Sequence, residues 1–191
     1  MIVLGLTGSI GTGKTTTARL FEEAGVPTIG ADAIVHALYA GAAAEPVGNA
    51  FPGTVKDGVV DRTRLSAMVV DDPAAMRRLE AIVHPLVEKA EKEFIERHRV
   101  AGVPVVLVDI PLLFEAGRAA DFDRIVVTSC APALQRARVL ARPGMGEAKF
   151  EAILGKQIPD AEKRARADFV VQTDHGLEAA RARVQEILKA L

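Results

Sequence analysis

Residues 2–15 of the chain, IVLGLTGSIGTGKT, join a short apolar run to a glycine-rich pattern. The pattern G-x-x-x-x-G-K-[ST] is complete between Gly8 and Thr15 and begins directly after the apolar run. A strand, a glycine loop and a helix start in this order let backbone N–H groups curl around phosphate oxygens, a curl that a Cβ atom would obstruct. The stretch therefore predicts a phosphate-binding loop for a nucleotide.

Three features of this loop are expected to act on the phosphates. The Lys14 ammonium brings a positive charge to the β- and γ-phosphates, and the Thr15 hydroxyl is suited to ligate Mg²⁺. The helix that begins near Lys14 adds the partial positive charge of its N-terminus. The nucleotide-binding residues expected in the loop are Gly8, Gly11, Thr12, Gly13, Lys14, Thr15 and Thr16.

Composition restricts the class of protein. The 191 residues suffice for one domain with insertions, and the core is expected to be aliphatic because aromatic residues make up only 4%. A net charge of −1 argues against a globally basic nucleic-acid binder. The single Cys130 excludes an intrachain disulfide and indicates a reducing compartment, and no apolar run approaches the ~20 residues of a membrane span. We expect a cytoplasmic protein without nucleic-acid or membrane partners, a monomer or weak homo-oligomer, with a buried structural thiol.

Short apolar runs rich in Val and Ile alternate with helical patterns along the chain. The predicted strands are residues 2–6, 26–29, 105–108, 124–128 and 169–171, and the predicted helices are residues 14–24, 72–83, 85–101, 131–141, 147–156 and 177–191. Near-continuous apolar strands are typical of a parallel sheet that is covered on both faces. The alternation predicts a doubly wound α/β fold, with a helix break before Pro85.

Two segments do not fit a simple alternation of strands and helices. The strand-free stretch from about residue 31 to 101 predicts a helical insertion that binds the acceptor substrate. Residues 142–160 begin with RPGMG and continue into a helix, which predicts a small mobile lid. The core is accordingly expected at residues 1–30, 102–141 and 161–191.

Two aspartates follow predicted strands, at the edge of an open α/β sheet where ligands bind. Asp109 ends the run VVLVD, and it can hold Mg²⁺ or cap the next turn; beside a complete phosphate-binding loop the metal role is favoured. Asp32 follows the second strand, where it can cap the next helix or accept a proton from an acceptor hydroxyl. The residues alone leave the two interpretations of Asp32 even.

Positive charge is concentrated near the predicted lid. Residues 136–166 contain eight basic and four acidic side chains. One or two arginines suffice to clamp a phosphate. Arg136 and Arg142, before or at the glycine-rich turn, are the candidates, and Arg138 is a weaker third candidate.

The histidines do not suggest a metal site. His84, at the predicted helix junction, is expected to be a surface or capping residue, and no histidine has the spacing of a zinc site.

Together these residues resemble the dephospho-coenzyme A kinases. The resemblance runs from end to end of the chain. It is carried by GLTGSIGTGKT (residues 5–15), AD followed by IVH (31–36), LEAIVHP (79–85), DIPLLFE (109–115), Gln157 and EKRARAD (162–168). The glycine loop is shared by many unrelated proteins, whereas DIPLLFE and the placement of the His-Pro pair are far more specific to this family.

The resemblance implies a three-layer P-loop kinase fold: a parallel five-stranded sheet flanked by helices, a helical CoA-binding insertion and a lid. It implies transfer of the γ-phosphate of ATP, with Mg²⁺, to the ribose 3′-hydroxyl of dephospho-CoA, the last step of coenzyme A synthesis. By position, Asp32 corresponds to the base and Arg142 to a lid arginine that binds ATP. The substrate-binding residues implied are Asp32, His84, Leu112, Leu113, Phe114 and Glu115.

One position departs from the family pattern. Gly30 stands where the family usually has an aspartate, so a secondary contact to the substrate or to a magnesium-bound water is expected to be lost. Two other functions also use such a loop. A nucleoside monophosphate kinase differs in its acceptor, and a GTPase switch is disfavoured because the chain has no Asn-Lys-x-Asp motif.

Overall fold

The computed structural model describes residues 1–191 and contains a parallel five-stranded sheet flanked by helices. The strands are β1 (Ile2–Gly8), β2 (Thr28–Gly30), β3 (Val55–Lys56), β4 (Val59–Val60), β5 (Val105–Asp109), β6 (Arg124–Ser129) and β7 (Phe169–Gln172). The five-stranded sheet has the order β2-β5-β1-β6-β7, and β3 pairs with β4 separately. The predicted sheet is confirmed, with strand ends displaced by at most two residues.

Helices make up most of the remaining chain. They are α1 (Lys14–Glu23), α2 (Ala31–Tyr39), α3 (Ala44–Ala50), α4 (Arg62–Val69), α5 (Pro73–Val100), α6 (Pro132–Leu140), α7 (Glu147–Leu154), α8 (Asp160–Ala165) and α9 (Leu177–Ala190), with a short 3₁₀ helix at Arg118–Asp121. None of the helices combines the length and the apolar character needed to cross a membrane.

Strand β1 lies in the middle of the sheet, between β5 and β6. In the register, Leu4 lies opposite Leu107, and Leu6 lies opposite both Asp109 and Val126. Leu4 and Leu6 are fully buried because helices cover both faces of the sheet, which explains the continuous apolar pattern of the strand. The register also brings Asp109 to the edge of the sheet at which β1 enters the glycine loop.

Helix α1 leaves the glycine loop and ends where the sequence predicts. The Val26 N–H donates to the Phe21 carbonyl (3.0 Å) and the Gly25 N–H to the Glu22 carbonyl (2.9 Å), which is a Schellman motif. Gly25 has a φ of 87°, a left-handed conformation that favours glycine. Phe21 of α1 packs against Val184 and Ile187 of α9 and against the sheet. This packing fixes α1, and with it the end of the glycine loop that leads into the helix.

The chain forms two compact units. One consists of Met1–Thr28 and His98–Leu191, and the other of Ile29–Arg97. The second unit has an apolar core of its own, in which Val47 and Phe51 are fully buried and the Arg78 guanidinium lies 4.6 Å from the centre of the Phe51 ring.

The helix break expected before Pro85 is wrong, because α5 runs without interruption from Pro73 to Val100. Pro85 cannot donate a hydrogen bond to the carbonyl four residues earlier. The buried face nevertheless continues from Leu79 and Val83 before the proline to Phe94 after it, and this packing keeps the segment helical. Asp72 caps the start of α5: its Oδ1 accepts from the N–H groups of Ala75 and Ala74, which lower the pKa of this carboxyl.

The stretch predicted to be free of strands contains a small hairpin. Strands β3 and β4 are antiparallel and are joined by Asp57 and Gly58, whose φ values are 52° and 77°. Two consecutive residues with positive φ form a type I′ turn, for which Asp-Gly is a preferred pair. The Asp-Gly pair in the sequence indicates this turn, but the flanking strands are only two residues long and therefore too short to be predicted from an apolar pattern. Helix α8 was also missed.

Candidate active site

The loop between β1 and α1 requires its glycines for two different reasons. Gly11 and Gly13 have φ values of 80° and 95°, in the left-handed region. Gly8 is required by packing, because a Cβ atom there would lie 2.1 Å from Thr128 Oγ1 and 2.7 Å from Thr12 Oγ1. The loop is therefore formed and tightly enclosed, as a phosphate-binding loop must be.

Side chains from distant parts of the chain fix the loop backbone. Gln157 Oε1 accepts from the Ile10 N–H (3.0 Å), and Gln135 Nε2 donates to the Ile10 carbonyl (2.7 Å). The hydroxyl of Thr12 in the loop lies 2.8 Å from the hydroxyl of Thr128 in β6, and both are buried. Sequence reasoning missed the roles of Gln135 and Thr128. Gln157 was noted only as part of the family resemblance. No pattern of neighbouring residues connects any of these three side chains with the loop.

Arg138, the weaker arginine candidate, contacts the residue that follows β7. Its Nη1 and Nη2 donate to Thr173 Oγ1 (2.8 Å) and to the Thr173 carbonyl (2.7 Å). Thr173 Oγ1 in turn donates to the Thr12 carbonyl of the loop (2.7 Å). Arg136 instead lies on the exposed side of α6, where it forms an ion pair with Glu147 of α7. A nucleotide contact for Arg136 stays a prediction.

A cavity of about 380 Å³ opens beside the loop. Its walls include Gly11 and Gly13 of the loop, Thr16 of α1, Arg138 and Arg142, and Leu177 at the start of α9. A volume of this size is in the range of small-molecule sites, and the walls combine apolar surface with two cationic side chains. The cavity can thus accommodate part of an anionic ligand whose phosphates lie in the loop.

Lys14 and Asp109 form an ion pair at the mouth of the loop. Lys14 Nζ lies 2.5 Å from Asp109 Oδ1, and both side chains are largely buried. The contact places the carboxylate beside the loop, as the metal-binding interpretation of Asp109 requires. A threonine hydroxyl and a carboxylate are oxygen ligands of the kind that Mg²⁺ prefers, so Thr15 and Asp109 fit this ion. No group of three or more His, Cys, Asp or Glu side chains is arranged to hold a metal.

Asp32 and His84 belong to the second compact unit and are both exposed. Asp32 is the second residue of α2, and the N-cap of this helix is Gly30, so the capping interpretation of Asp32 is wrong. Gly30 itself has an extended backbone (φ −125°, ψ 144°), which any residue adopts. Glycine is therefore not required at position 30 by conformation, and the catalytic role of Asp32 stays a prediction.

The segment from Leu112 to Glu115 follows β5, and its side chains differ in exposure. Leu113 is fully buried, where a Cβ atom on Gly5 would lie 2.8 Å from its Cδ1. Phe114 is buried beneath the Arg166 guanidinium, 4.3 Å from the ring centre. Leu112, at 43% exposure, is the member whose side chain reaches solvent most. Substrate binding by these residues stays a prediction.

Glu115 is held by the segment that follows α7. Lys163 Nζ is fully buried and forms an ion pair with Glu115 Oε1 (2.7 Å), which also accepts from the Ile158 N–H (3.0 Å). Burial raises the pKa of Glu115, but the hydrogen bonds and the charge of Lys163 outweigh it, so this pKa lies below its ordinary value. These contacts hold residues 158–163 in place. Gln157, which hydrogen-bonds the phosphate-binding loop, directly precedes this segment.

Replacing Lys163 with methionine is expected to lower the free energy of unfolding by about 3–5 kcal/mol near neutral pH, because a buried carboxylate then loses its charged partner. Since the folded pKa of Glu115 is lowered, the pair stabilises the fold above the unfolded value of 4.5 and loses this effect as pH falls through the folded pKa. Urea unfolding should therefore show a smaller difference between variant and parent at acidic pH. The exposed Lys156→Met is the control, and a difference independent of pH would contradict the assignment.

Cys130 is buried at the end of β6, with its Sγ 4.0 Å from the Gly11 carbonyl. Burial raises the pKa of this thiol. The expected burial of Cys130 is confirmed, and the raised pKa disfavours the thiolate, which is the reactive form.

A family model, sequence relatives and solved structures each match nearly the whole chain. A family model, CoaE dephospho-CoA kinase, matches residues 2–179. The dephospho-CoA kinase of Mesorhizobium japonicum is 58% identical over 191 residues, which cover 100% of this chain and 97% of the relative. The crystal structure of TT1252 from Thermus thermophilus has a TM-score of 0.83 at 33% identity, covering 99% of this chain and 96% of that one. The dephospho-CoA kinase from Campylobacter jejuni shares the fold, with a TM-score of 0.72 at 22% identity and coverages of 98% and 96%.

Proposed function

The chain belongs to the dephospho-CoA kinase family, and on this premise we propose how its residues transfer the γ-phosphate of ATP to the ribose 3′-hydroxyl of dephospho-CoA. The reaction is ATP-dependent, yields coenzyme A and ADP and belongs to coenzyme A biosynthesis. The identity to dephospho-CoA kinases along the full chain is the observation that carries this acceptor, since the loop alone fits many kinases.

The phosphate-binding loop supplies charge and position rather than covalent chemistry. Its N–H groups and the Lys14 ammonium bind the β- and γ-phosphate oxygens, and for this Lys14 exchanges the Asp109 carboxylate for phosphate. The tight enclosure of the loop supports this role, because donors that are already oriented need no rearrangement during the reaction.

Thr15 and Asp109 are the residues that would hold Mg²⁺. The ion, when bound, neutralises part of the charge that develops on the phosphates. The ion pair between Lys14 and Asp109 supports this assignment, because it keeps a carboxylate at the loop. Departure of Lys14 toward the phosphates removes one positive charge from that carboxylate, which the positive charge of the ion would then replace.

Asp32 accepts the proton of the 3′-hydroxyl. Its exposure in the first turn of α2, its freedom from a capping role and its match to the family motif support this proposal. A positioned base typically contributes about 10²–10⁴-fold to the rate.

Arg142 binds ATP from the lid, and closure of residues 142–160 excludes water that would otherwise receive the phosphoryl group. The position of Arg142 at the cavity wall supports this role. Arg136 also binds ATP only if its guanidinium leaves Glu147.

Dephospho-CoA is bound by His84 and by the segment Leu112, Leu113, Phe114 and Glu115. The two buried residues of this segment, Leu113 and Phe114, act by supporting its backbone. The enzyme acts in the cytoplasm as a monomer or weak homo-oligomer.

A coupled assay of ADP release tests the function. Dephospho-CoA, AMP, CMP and pantothenate are offered at equal concentration with ATP and Mg²⁺, and we expect rapid turnover with dephospho-CoA alone. NMR of the product should locate the new phosphate on the ribose 3′-oxygen. Faster turnover of AMP or CMP would instead identify a nucleoside monophosphate kinase.

A further inference from the structure

Thr173 directly follows β7 and lies against the phosphate-binding loop. It is only 9% exposed, and its N–H donates to the Ser129 carbonyl (2.9 Å), which fixes its backbone to the end of β6. A Cβ atom on Gly13 would lie 3.1–3.3 Å from three atoms of the Thr173 side chain. A side chain this close to the loop, and held this firmly, can set the conformation of the loop.

The hydroxyl of Thr173 has one proton, and its neighbours determine where that proton points. Arg138 Nη1, 2.8 Å away, can only donate, so the hydroxyl accepts there. It then donates to the Thr12 carbonyl at 2.7 Å, which is much closer than the alternative Ser129 carbonyl at 3.4 Å. One hydroxyl therefore links an arginine of α6 to the backbone of the loop.

The bond to the Thr12 carbonyl determines the direction of a loop N–H group. The Thr12 carbonyl and the Gly13 N–H belong to one planar trans peptide unit, so they point in opposite directions. Since Thr173 draws the carbonyl toward itself, the N–H is turned away from Thr173. Gly13, with its φ of 95°, has no preferred backbone conformation that would enforce this orientation by itself.

The second consequence concerns Arg138. Its guanidinium is held by two hydrogen bonds to Thr173, one to the hydroxyl and one to the carbonyl (2.7 Å). Such a two-point contact fixes the plane of the guanidinium as well as its position. Arg138 lines the cavity together with Gly11 and Gly13, so its orientation affects any ligand that enters there.

We propose that Thr173 is a positioning residue for nucleotide binding: its hydroxyl orients the peptide between Thr12 and Gly13 and holds Arg138 at the cavity. Both elements are thereby arranged before the nucleotide arrives. The proposal rests on the nucleotide-binding role of the loop, but not on the identity of the acceptor substrate.

The test compares Thr173→Val with Thr173→Ser in the full-length enzyme. Valine retains the methyl contact to Gly13 and removes the hydroxyl, whereas serine retains the hydroxyl. Calorimetric titration with Mg²⁺-ADP should give a Kd raised about ten- to a hundredfold in Thr173→Val, because hydrogen bonds to a charged group and to the loop are lost together. Thr173→Ser should stay within about threefold of the parent, and the exposed Thr63→Val should match the parent.

Steady-state kinetics separate positioning from a purely structural role. In Thr173→Val the KM for ATP should rise while the KM for dephospho-CoA stays unchanged. A parent-like Kd for ADP with only a lowered Tm would overturn the proposal, and so would a Thr173→Ser variant as weak as Thr173→Val. If Thr173→Val does not fold, Arg138→Lys keeps the charge without the two-point contact, and a parent-like Kd there overturns the Arg138 part. A parent that binds ADP but does not phosphorylate dephospho-CoA contradicts only the proposed function.

Discussion

Replacing Lys14 with alanine is expected to lower kcat by about 10²–10³-fold, the loss typical of removing one preorganised charge or donor at a reacting centre. The structure adds a second consequence, because Asp109 then loses the ammonium 2.5 Å from its carboxylate. A carboxylate that has lost this ammonium repels phosphate oxygens more strongly, so nucleotide affinity should fall together with kcat.

The measurement is the coupled assay with dephospho-CoA, accompanied by calorimetry with Mg²⁺-ADP. Lys189→Ala, at an exposed lysine near the end of α9, provides the control and should retain the parent rate. If Lys14→Ala turned over at the parent rate, the loop would not be the catalytic phosphate site, and the mechanism proposed above would fail.

Replacing Asp32 with asparagine is expected to lower kcat at least a hundredfold, in the range of about 10²–10⁴ for a positioned base. The amide has nearly the shape of the carboxylate but cannot accept the proton. Since Gly30, not Asp32, is the N-cap of α2, the substitution removes no cap, and the free energy of unfolding should scarcely change. The affinity for Mg²⁺-ADP should also stay close to that of the parent.

The matched control is Asp71→Asn, because Asp71 is also an exposed aspartate and lies outside every role proposed here. Single-turnover measurements would separate the chemical step from product release. Near-normal kcat in Asp32→Asn would exclude the base assignment, whereas equal losses in kcat and ADP affinity would indicate a nucleotide contact instead.

Patterns within short windows predicted the elements well. The runs at β1, β5, β6 and β7 are apolar on both faces, and Gly25 ends α1 as its position after the helix suggests. Pro85 shows the limit of such rules: its missing N–H favours a break, but the buried face of α5 continues past it. Packing along a 28-residue helix outweighed one lost hydrogen bond.

The choice among arginines could not be made from the sequence. Arg136 and Arg138 are two positions apart on α6 and therefore lie on different faces of the helix. Only the packing of α6 decides which one meets Thr173 and which one meets Glu147. The position of Arg136 before the glycine-rich turn made it a candidate, but a position along the chain does not say which face of the helix a side chain occupies.

The amino-acid sequence by itself determined the phosphate-binding loop, the parallel sheet and the family, because glycine positions, apolar runs and motif spacing are properties of neighbouring residues. Tertiary structure alone decided what holds the loop: Gln135, Gln157 and Thr173 lie more than a hundred residues from it along the chain. Hydrogen bonds over such separations form only when the strands have paired, and an amide or a hydroxyl looks the same in sequence whether it faces solvent or a loop carbonyl.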